Sequence, residues 1–460
     1  MSHFHFIGIG GTGLSAIATV HLQQGATVSG SDQQASATTE RLVALGATVA
    51  IGHRPENLPE RVDTVVISSA IPADNPELMA ARQRGLTITK RADWLGRMMQ
   101  GYTGIAIAGT HGKTTTTAMT AFVWRELGQD PTFIVGGFIP QLGTNAAAGQ
   151  GDAFIIEADE YDYTFLGLRP RLAIVTTVEW DHPDIFPTLQ AVQNAFGRFV
   201  QRVPAEGGVV IGCGDDSGVQ AVLRETEAQV VTYGLRPGSD WQAIKVQPNP
   251  PGGHDFTVIR RVDSSRSEAV ARVSLAIPGR HNVANALAVL ACADEQGLDL
   301  ADVAAALGRF NGVGRRFELK GEVNGITVID DYAHHPTELK VTLAAARARF
   351  GRRRLWVVVQ PHTFSRTLAL LADYAGAFAG ADQVIVVDIF ASRERDEGLV
   401  SSRDLVKQAG HPAAHYIGSL REAADYLLSH LQPGDVLLTC GAGDGYLVGE
   451  WVLAELAISL

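Results

Sequence analysis

Gly109-Thr110-His111-Gly112-Lys113-Thr114-Thr115-Thr116 is the stretch on which the reading of the chain turns. An apolar run, Ile105 to Ala108, leads into it, and a helical pattern from Thr115 to Leu127 leads out. A glycine turn between a buried strand and a helix start aims backbone N–H groups and the positive end of the helix dipole at one point, a cradle for a polyphosphate. Lys113 adds a cation for the terminal phosphates, and the Thr114 hydroxyl is placed for Mg2+. The loop departs from the common phosphate-loop spacing, because the position five before Gly112 is Ile107 where that pattern has glycine.

Working outward, the 460 residues are enough for about three domains, each with its own core. A composition 46% hydrophobic and 19% charged is that of an ordinary soluble globular protein. The net charge of −11, with no basic block longer than Arg352-Arg353-Arg354, argues against a nucleic-acid partner. Anionic ligands must then be held locally, by glycine loops, metal ions and single arginines. Cys213, Cys292 and Cys440 show neither zinc nor redox spacing and fit core thiols in a reducing compartment. No signal-peptide pattern and no apolar run of membrane-spanning length is present, so a cytoplasmic protein without a membrane partner is expected. No signal for an oligomeric state stands out.

Upstream of the phosphate loop, the strand Phe4 to Ile7 runs into Gly8-Ile9-Gly10-Gly11-Thr12-Gly13 and a helix to about Gln24 that Gly25 closes. The next strand, Thr27 to Ser29, leads to Ser31 and Asp32, the latter nineteen residues after Gly13, near the distance at which an acid reads a ribose hydroxyl. On spacing alone NAD is the favoured ligand. A buried strand around Val65-Val66-Ile67, ending in Ser68-Ser69, and a helix from Asn75 to Arg84 continue the β/α alternation. Residues 1–104 therefore read as a Rossmann-like domain.

Downstream, the apolar strand Ala153 to Ile156 ends in Glu157-Ala158-Asp159-Glu160, and Leu172 to Val178 ends in Glu179-Trp180-Asp181-His182. Parallel strands deliver their ligands past their C-terminal ends, so Lys113, Thr114, Glu157 and His182 are expected to converge on a metal–phosphate site. Acids after a strand also serve as helix caps, and His182 alone would be read as a core or surface residue. From Asp240 to Ile277 short alternating strands suggest a small antiparallel insert. Gly279-Arg280-His281-Asn282 opens an alanine-rich helix with Asn285 on the same side, either a nucleotide-base contact or a polar cap. A hinge across Gly312 and Gly314 closes a P-loop-type central domain, residues 105–313.

The last stretch, 314–460, again alternates. Its strands end in Asp330-Asp331-Tyr332-Ala333-His334-His335-Pro336, in Gln360-Pro361-His362-Thr363-Phe364-Ser365-Arg366, in Asp388, and in Gly441-Ala442-Gly443-Asp444. Two imidazoles beside two carboxylates are not a routine solvated surface. The expected fold is α/β in three domains: Rossmann-like, central P-loop ATPase-type parallel sheet with the antiparallel insert, and Rossmann-like again.

Gly109–Thr116, Glu157–Glu160, Gly279–Asn282, Asp330–Pro336 and Gln360–Thr367 together resemble the Mur ligases, the ATP-dependent amide-forming enzymes of bacterial peptidoglycan synthesis. The likeness covers nearly the whole chain. Gly8–Gly13, Ser68–Ile71 and the Gly143-Thr144-Asn145 loop are similar to the branch that adds L-alanine to UDP-N-acetylmuramate.

The resemblance replaces NAD by a UDP-sugar in the first domain, with Gly10, Gly11, Gly13, Ser31, Asp32, Ser69, Thr144 and Asn145 as its contacts. It implies ATP at Gly109, Thr110, His111, Gly112, Lys113, Thr114 and Thr115, with Asn282 and Asn285 near adenine and Asp331 near ribose or adenine. Mg2+ falls to Thr114, Glu157 and His182, the amino acid to Tyr332, His334 and Arg366, and the catalytic roles to Lys113, His182 and His334. Two departures stand out. Thr363 occupies a position where some relatives carry arginine, and the carboxylated lysine of other branches has no counterpart, since between 105 and 313 the only lysines are Lys113 and Lys245. Glu160-Tyr161-Asp162 and Trp180–Phe186 also resemble the recycling branch, which attaches a ready-made peptide to the same UDP-sugar. An NAD-dependent oxidoreductase is the alternative from another class.

Overall fold

In the computed structural model, which describes residues 2–458, the chain builds three sheets in sequence. The first is all parallel, in the order Thr48–Ile51, Thr27–Asp32, His3–Ile7, Thr64–Ile67, Ile88–Lys90. The order reverses beside His3–Ile7, so the glycine loop after that strand opens on a switch-point crevice, where ligands of such sheets sit. The helix Thr12–Gln23 starts from this loop, and Gly25, at φ 83°, supplies the left-handed residue that ends it. Asn75 accepts from the N–H groups of Glu77 and Leu78 and so caps the helix Pro76–Gln83.

The central sheet has ten strands. Thr103–Ala108 lies between Ala153–Glu157 and Leu172–Val175, all parallel and almost entirely buried, as their continuous apolar sequences require. Because this strand begins at Thr103, it spans the division expected after residue 104. The strand expected to reach Val178 ends at Val175: Thr176 N still donates to the Ala108 carbonyl, and Thr177 turns to bond the phosphate loop. The strands Trp241–Pro248, His254–Arg261 and Ser267–Leu275 are antiparallel to one another, as expected. They extend the main sheet through a short parallel pairing of Tyr233 and Gly234 with Trp241 and Gln242.

The third sheet runs Glu318–Val323, Ile326–Asp331, Val436–Cys440, Leu355–Val359, Gln383–Val386, Ala414–Tyr416. Its first two strands form a hairpin through Asn324 and Gly325, both at positive φ, the conformation that an Asn-Gly pair favours. The other pairings are parallel and bring five strand ends to one edge.

The core is not divided as the sheets are. One apolar cluster runs from Phe6, Ile17 and Val66 of the first domain through Trp94, Leu95 and Met99 into Ile105, Phe154 and Phe165 of the second. The third domain has separate clusters on the two faces of its own sheet. Within the seam, the helix Arg91–Met98 meets the turn Tyr161–Gly167 backbone to backbone: a Cβ on Gly96 would lie 2.2 Å from the Gly167 carbonyl oxygen. Gly96→Ala is therefore expected to destabilise the joined first and central domains by about 1–3 kcal/mol, the usual cost of overpacking, read as a lowered midpoint in chemical denaturation.

Candidate active site

The phosphate loop is held in shape from beneath. Gly109 has φ 143°, and a Cβ there would lie 1.9 Å from Thr176 Oγ1. Thr110 N donates to the Thr177 carbonyl at 2.8 Å and His111 N to Thr177 Oγ1 at 2.9 Å, while Thr110 Oγ1 exchanges hydrogen bonds with the backbone of Glu179. The following helix, Lys113–Glu126, has no side-chain cap, so its N-terminal turn is available to an anion. Lys113 folds back. Its Nζ donates to the carbonyls of Gly109 and Thr110 and to Glu160 Oε1 at 2.8 Å. Burial works against the ammonium, but the Glu160 carboxylate, with Glu157 and Asp159 behind it, outweighs burial and holds Lys113 charged.

Thr114 Oγ1 donates to Glu157 Oε1 at 2.8 Å, and Glu157 Oε2 accepts from Gly136 N at 2.6 Å. These two expected metal ligands are thus together at the strand edge, and their hydroxyl and carboxylate oxygens are the hard donors that Mg2+ prefers. His182 stands beside a neighbouring group. Its Nδ1 accepts from Arg366 at 3.0 Å, its Nε2 lies 3.9 Å from Glu160, and its φ of 53° turns the chain sharply after Asp181. Among the described residues, the one set of three His, Cys, Asp or Glu ligand atoms within 4.8 Å of each other is His111, Glu179 and His335.

A cavity of ≈ 730 Å³ opens from the loop between the central and third domains. His111, Gly112, Thr114 and Thr115 line it together with Asn282 and Asn285 of the central domain and Asp331 and Arg316 of the third. Its size suits a nucleotide-sized ligand. Asn282 Nδ2 donates to the Pro278 carbonyl and its Oδ1 accepts from Asn285, so the pair braces the start of the helix Arg280–Glu295 as well as facing the cavity. Asp331 accepts from the backbone N–H groups of Phe317 and Ala333, and burial pushes its carboxyl up to about 6.

The third domain closes over this edge with polar contacts. His111 bridges Glu179 of the central domain, at 2.9 Å, and Glu338 of the third, at 3.0 Å. Thr337 Oγ1 donates to Glu179 Oε1 at 2.7 Å, and His335 sits against the Trp180 carbonyl at 3.3 Å. Arg366, 4% exposed, donates from Nε to Asp181 at 2.7 Å and places its two amino groups on His362 and His182. Tyr332 is covered by the guanidinium groups of Arg315 and Arg316. His334 lies edge-on to Tyr332 and to His362, its Nδ1 donating to the Tyr332 carbonyl. Burial pulls His334 down to about 3, which leaves a neutral imidazole.

The first-domain residues form their own group. Asp32 turns its carboxylate onto Gly10 N at 2.8 Å, bracing the glycine loop, and Arg91 lies against Gly13 while pairing with Asp159 of the central domain at 2.9 Å. A Cβ on Gly11 would meet only the Gly8 carbonyl oxygen, at 3.4 Å. Ser31 is fully buried and donates to Glu77, with His53 Nδ1 at 2.9 Å, so it belongs to the sheet interior, whereas Ser69 is exposed. Thr144 accepts from Arg41 at 2.7 Å across the domain boundary, and Asn145 donates to the Val135 carbonyl.

Sequence reasoning did not single out Glu338, Glu160, Asp181, Arg316 or Arg91 for a role at the site. Glu160 and Asp181 were inside the quoted strand-end motifs, and Glu338, three residues after His335, is the signal of a capping box. Burial opposes the charge on His111, but Glu338 and Glu179 together raise it from 6.5 to about 10. A raised folded-state value means that the stability His111 contributes is fully present below pH 6.5 and is lost as pH rises through about 10. The difference in melting temperature between the wild type and His111→Gln is therefore expected to shrink steadily over that interval in a pH series of thermal melts.

Three family models match in order: "Mur ligase family, catalytic domain" over residues 3–103, "Mur ligase middle domain" over 107–293, and "Mur ligase, glutamate ligase domain" over 315–443. The chain is 44% identical to the UDP-N-acetylmuramate–L-alanine ligase of Frankia casuarinae, covering 99% of this chain and 98% of that one. It is 43% identical to the protein of the same name from Alkaliphilus metalliredigens, over 99% and 98% of the two chains. Among solved structures, the UDP-N-acetylmuramate–alanine ligase of Thermotoga maritima superposes with a TM-score of 0.83 at 28% identity, covering 100% of both chains. A murein peptide ligase from Psychrobacter arcticus gives 0.73 at 27% identity, covering 99% of each. With three consecutive domain matches and full-length relatives well above 30% identity, the chain belongs to the Mur ligase family.

Proposed function

We propose that this chain joins L-alanine to the lactyl carboxylate of UDP-N-acetylmuramate, with cleavage of ATP to ADP and phosphate, in the synthesis of the peptidoglycan precursor. The observation that carries the reading is a cavity lined by Gly112, Thr114 and Thr115 of the uncapped helix start and by Asp331 and Arg316 of the third domain, with the Lys113–Glu160 and Thr114–Glu157 pairs adjoining it. The full-length similarity to UDP-N-acetylmuramate–L-alanine ligases supports the choice of substrates. No helix among the described residues is long and apolar enough to cross a membrane.

In the proposed reaction a carboxylate oxygen of the sugar bonds to the γ-phosphorus of ATP as the β–γ bridge breaks and ADP leaves. The amine of L-alanine then attacks the acyl carbon, phosphate departs, and the nitrogen gives up a proton. The first step brings anions together, so its barrier falls with positive charge fixed at the transferred group. Lys113 supplies that charge when it exchanges Glu160 for a phosphate oxygen, and the loop from Gly109 to Thr115 offers N–H groups. Thr114 and Glu157 would hold Mg2+, with His182 as a third ligand, and the bound ion would offset phosphate charge.

Asn282 and Asn285 would meet the adenine, and Asp331 the ribose or adenine. Gly10, Gly11, Gly13, Asp32 and Ser69, with Thr144 and Asn145 across the boundary, would hold the UDP-sugar, and Ser31 would support them from the interior. Tyr332, neutral His334 and Arg366 would line the amino-acid pocket.

A phosphate-release assay with ATP, Mg2+ and UDP-N-acetylmuramate is expected to show turnover with L-alanine. Turnover with the murein tripeptide and none with L-alanine would instead assign the chain to the recycling reaction. Lys113→Ala is expected to lower kcat by at least about 10²-fold with the fold intact by circular dichroism, the order seen when one charge-stabilising donor is removed. Chelation with EDTA is expected to abolish turnover and added Mg2+ to restore it.

A further inference from the structure

Arg366 is a buried cation of the proposed amino-acid pocket, but its charge is already matched. Asp181 lies 2.7 Å from its Nε, and two more of its N–H groups are placed on His362 and His182. An amino acid whose amine approaches the acyl carbon brings a carboxylate to within a few bond lengths of it. That carboxylate needs a second, unmatched cation if it is to be bound as an anion away from bulk water. Arg91 is paired with Asp159, and Arg316 lies on the nucleotide side, against Thr114 and Tyr332.

Arg393 remains. It lies in the loop after the strand Gln383–Val386, and that loop is fastened to the Arg366 segment at several points. Phe390 N donates to the Pro361 carbonyl at 2.9 Å and Thr363 N to the Phe390 carbonyl at 3.0 Å. The Phe390 ring stacks on His362, and the Glu394 carboxylate accepts from both the N–H and the hydroxyl of Ser365. Ser392, at φ 55°, turns the chain just before Arg393. The Arg393 guanidinium reaches across to the central domain and lies 4.6 Å from the centre of the Tyr161 ring. That ring in turn meets His182 edge-on, with centroids 5.0 Å apart. Arg393 forms no ion pair among the described residues, and Asp184, beside the same tyrosine, accepts the Tyr161 hydroxyl at 2.8 Å. An arginine held over an aromatic face with both edges of its fork free is suited to two-point capture of a carboxylate.

We propose that Arg393 binds the α-carboxylate of the incoming amino acid, sharing it with Arg366. Two guanidinium groups then balance two carboxylates, Asp181 and the substrate. Glu394 acts as a positioning residue by tying the loop to Ser365. The inference rests on the amino-acid ligase reading above.

The test measures initial rates for the wild type, Arg393→Ala and Arg393→Lys, varying L-alanine, ATP and UDP-N-acetylmuramate in turn, with L-alaninamide as a substrate lacking the carboxylate. Arg393→Ala is expected to raise the KM for L-alanine by about tenfold or more, the loss of one charge-assisted contact, with the KM values for ATP and the UDP-sugar within about twofold. It is also expected to erase most of the preference for L-alanine over L-alaninamide, and Arg393→Lys to recover part of it. An unchanged KM for L-alanine, a parallel rise in all three KM values, or an unchanged preference over the amide overturns the assignment. Absence of wild-type turnover with every α-amino acid overturns the reading of function itself, an outcome separate from the first three.

Discussion

The 2.8 Å pairing of Lys113 with Glu160 expresses the constraint under which the whole site is built. A protein of net charge −11 must collect several anions at one point, and it has few lysines with which to do so. It places one partly buried cation, Lys113, at the start of an uncapped helix and surrounds it with carboxylates that keep it charged. The same economy recurs on the third domain's edge, where Arg366 is held charged by Asp181 and in turn depresses Asp181 well below the usual carboxylate range, against the effect of burial. Each cation is held in a fixed position by an acid.

The two domain boundaries are of different kinds. The first and central domains share an apolar cluster through Trp94, Leu95 and Met99, and they meet at Gly96 and Gly167 with no room for a side chain. The third domain meets the central one chiefly through ion pairs and hydrogen bonds: His111 with Glu338, Thr337 with Glu179, Arg366 with Asp181. Apolar burial scales with area and resists opening, whereas a polar contact can be exchanged for one with water or ligand. The architecture therefore fixes the first domain relative to the loop Gly109–Thr116 and joins the third domain to it through polar pairs.

Much of the fold was legible because buried parallel strands leave unbroken apolar runs. Ile105 to Ala108, Ala153 to Ile156 and Leu355 to Val359 were each placed within a residue or two. The strand after Leu172 was read too long because Thr176 and Thr177 are as compatible with a strand as with a loop, and only their bonds to the phosphate loop decide. The antiparallel ribbon's continuity with the main sheet rests on two residue pairs that no local pattern reveals.

The sequence by itself determined the chemistry on offer: a glycine-lysine-threonine turn after a buried strand, acids and imidazoles at successive strand ends, and a likeness that selected a UDP-sugar over NAD. These follow from local spacing, since a strand–turn–helix places its neighbours within a few residues. Only the tertiary structure decided which of those groups answer one another. Asp32 braces Gly10, Ser31 is buried on Glu77, Glu338 reaches His111 across 227 positions, and Arg366 lies on Asp181 across 185. Charge pairing between distant strand ends depends on how sheets dock, and docking is set by cores such as Trp94 and Phe165 that carry no chemical signal of their own.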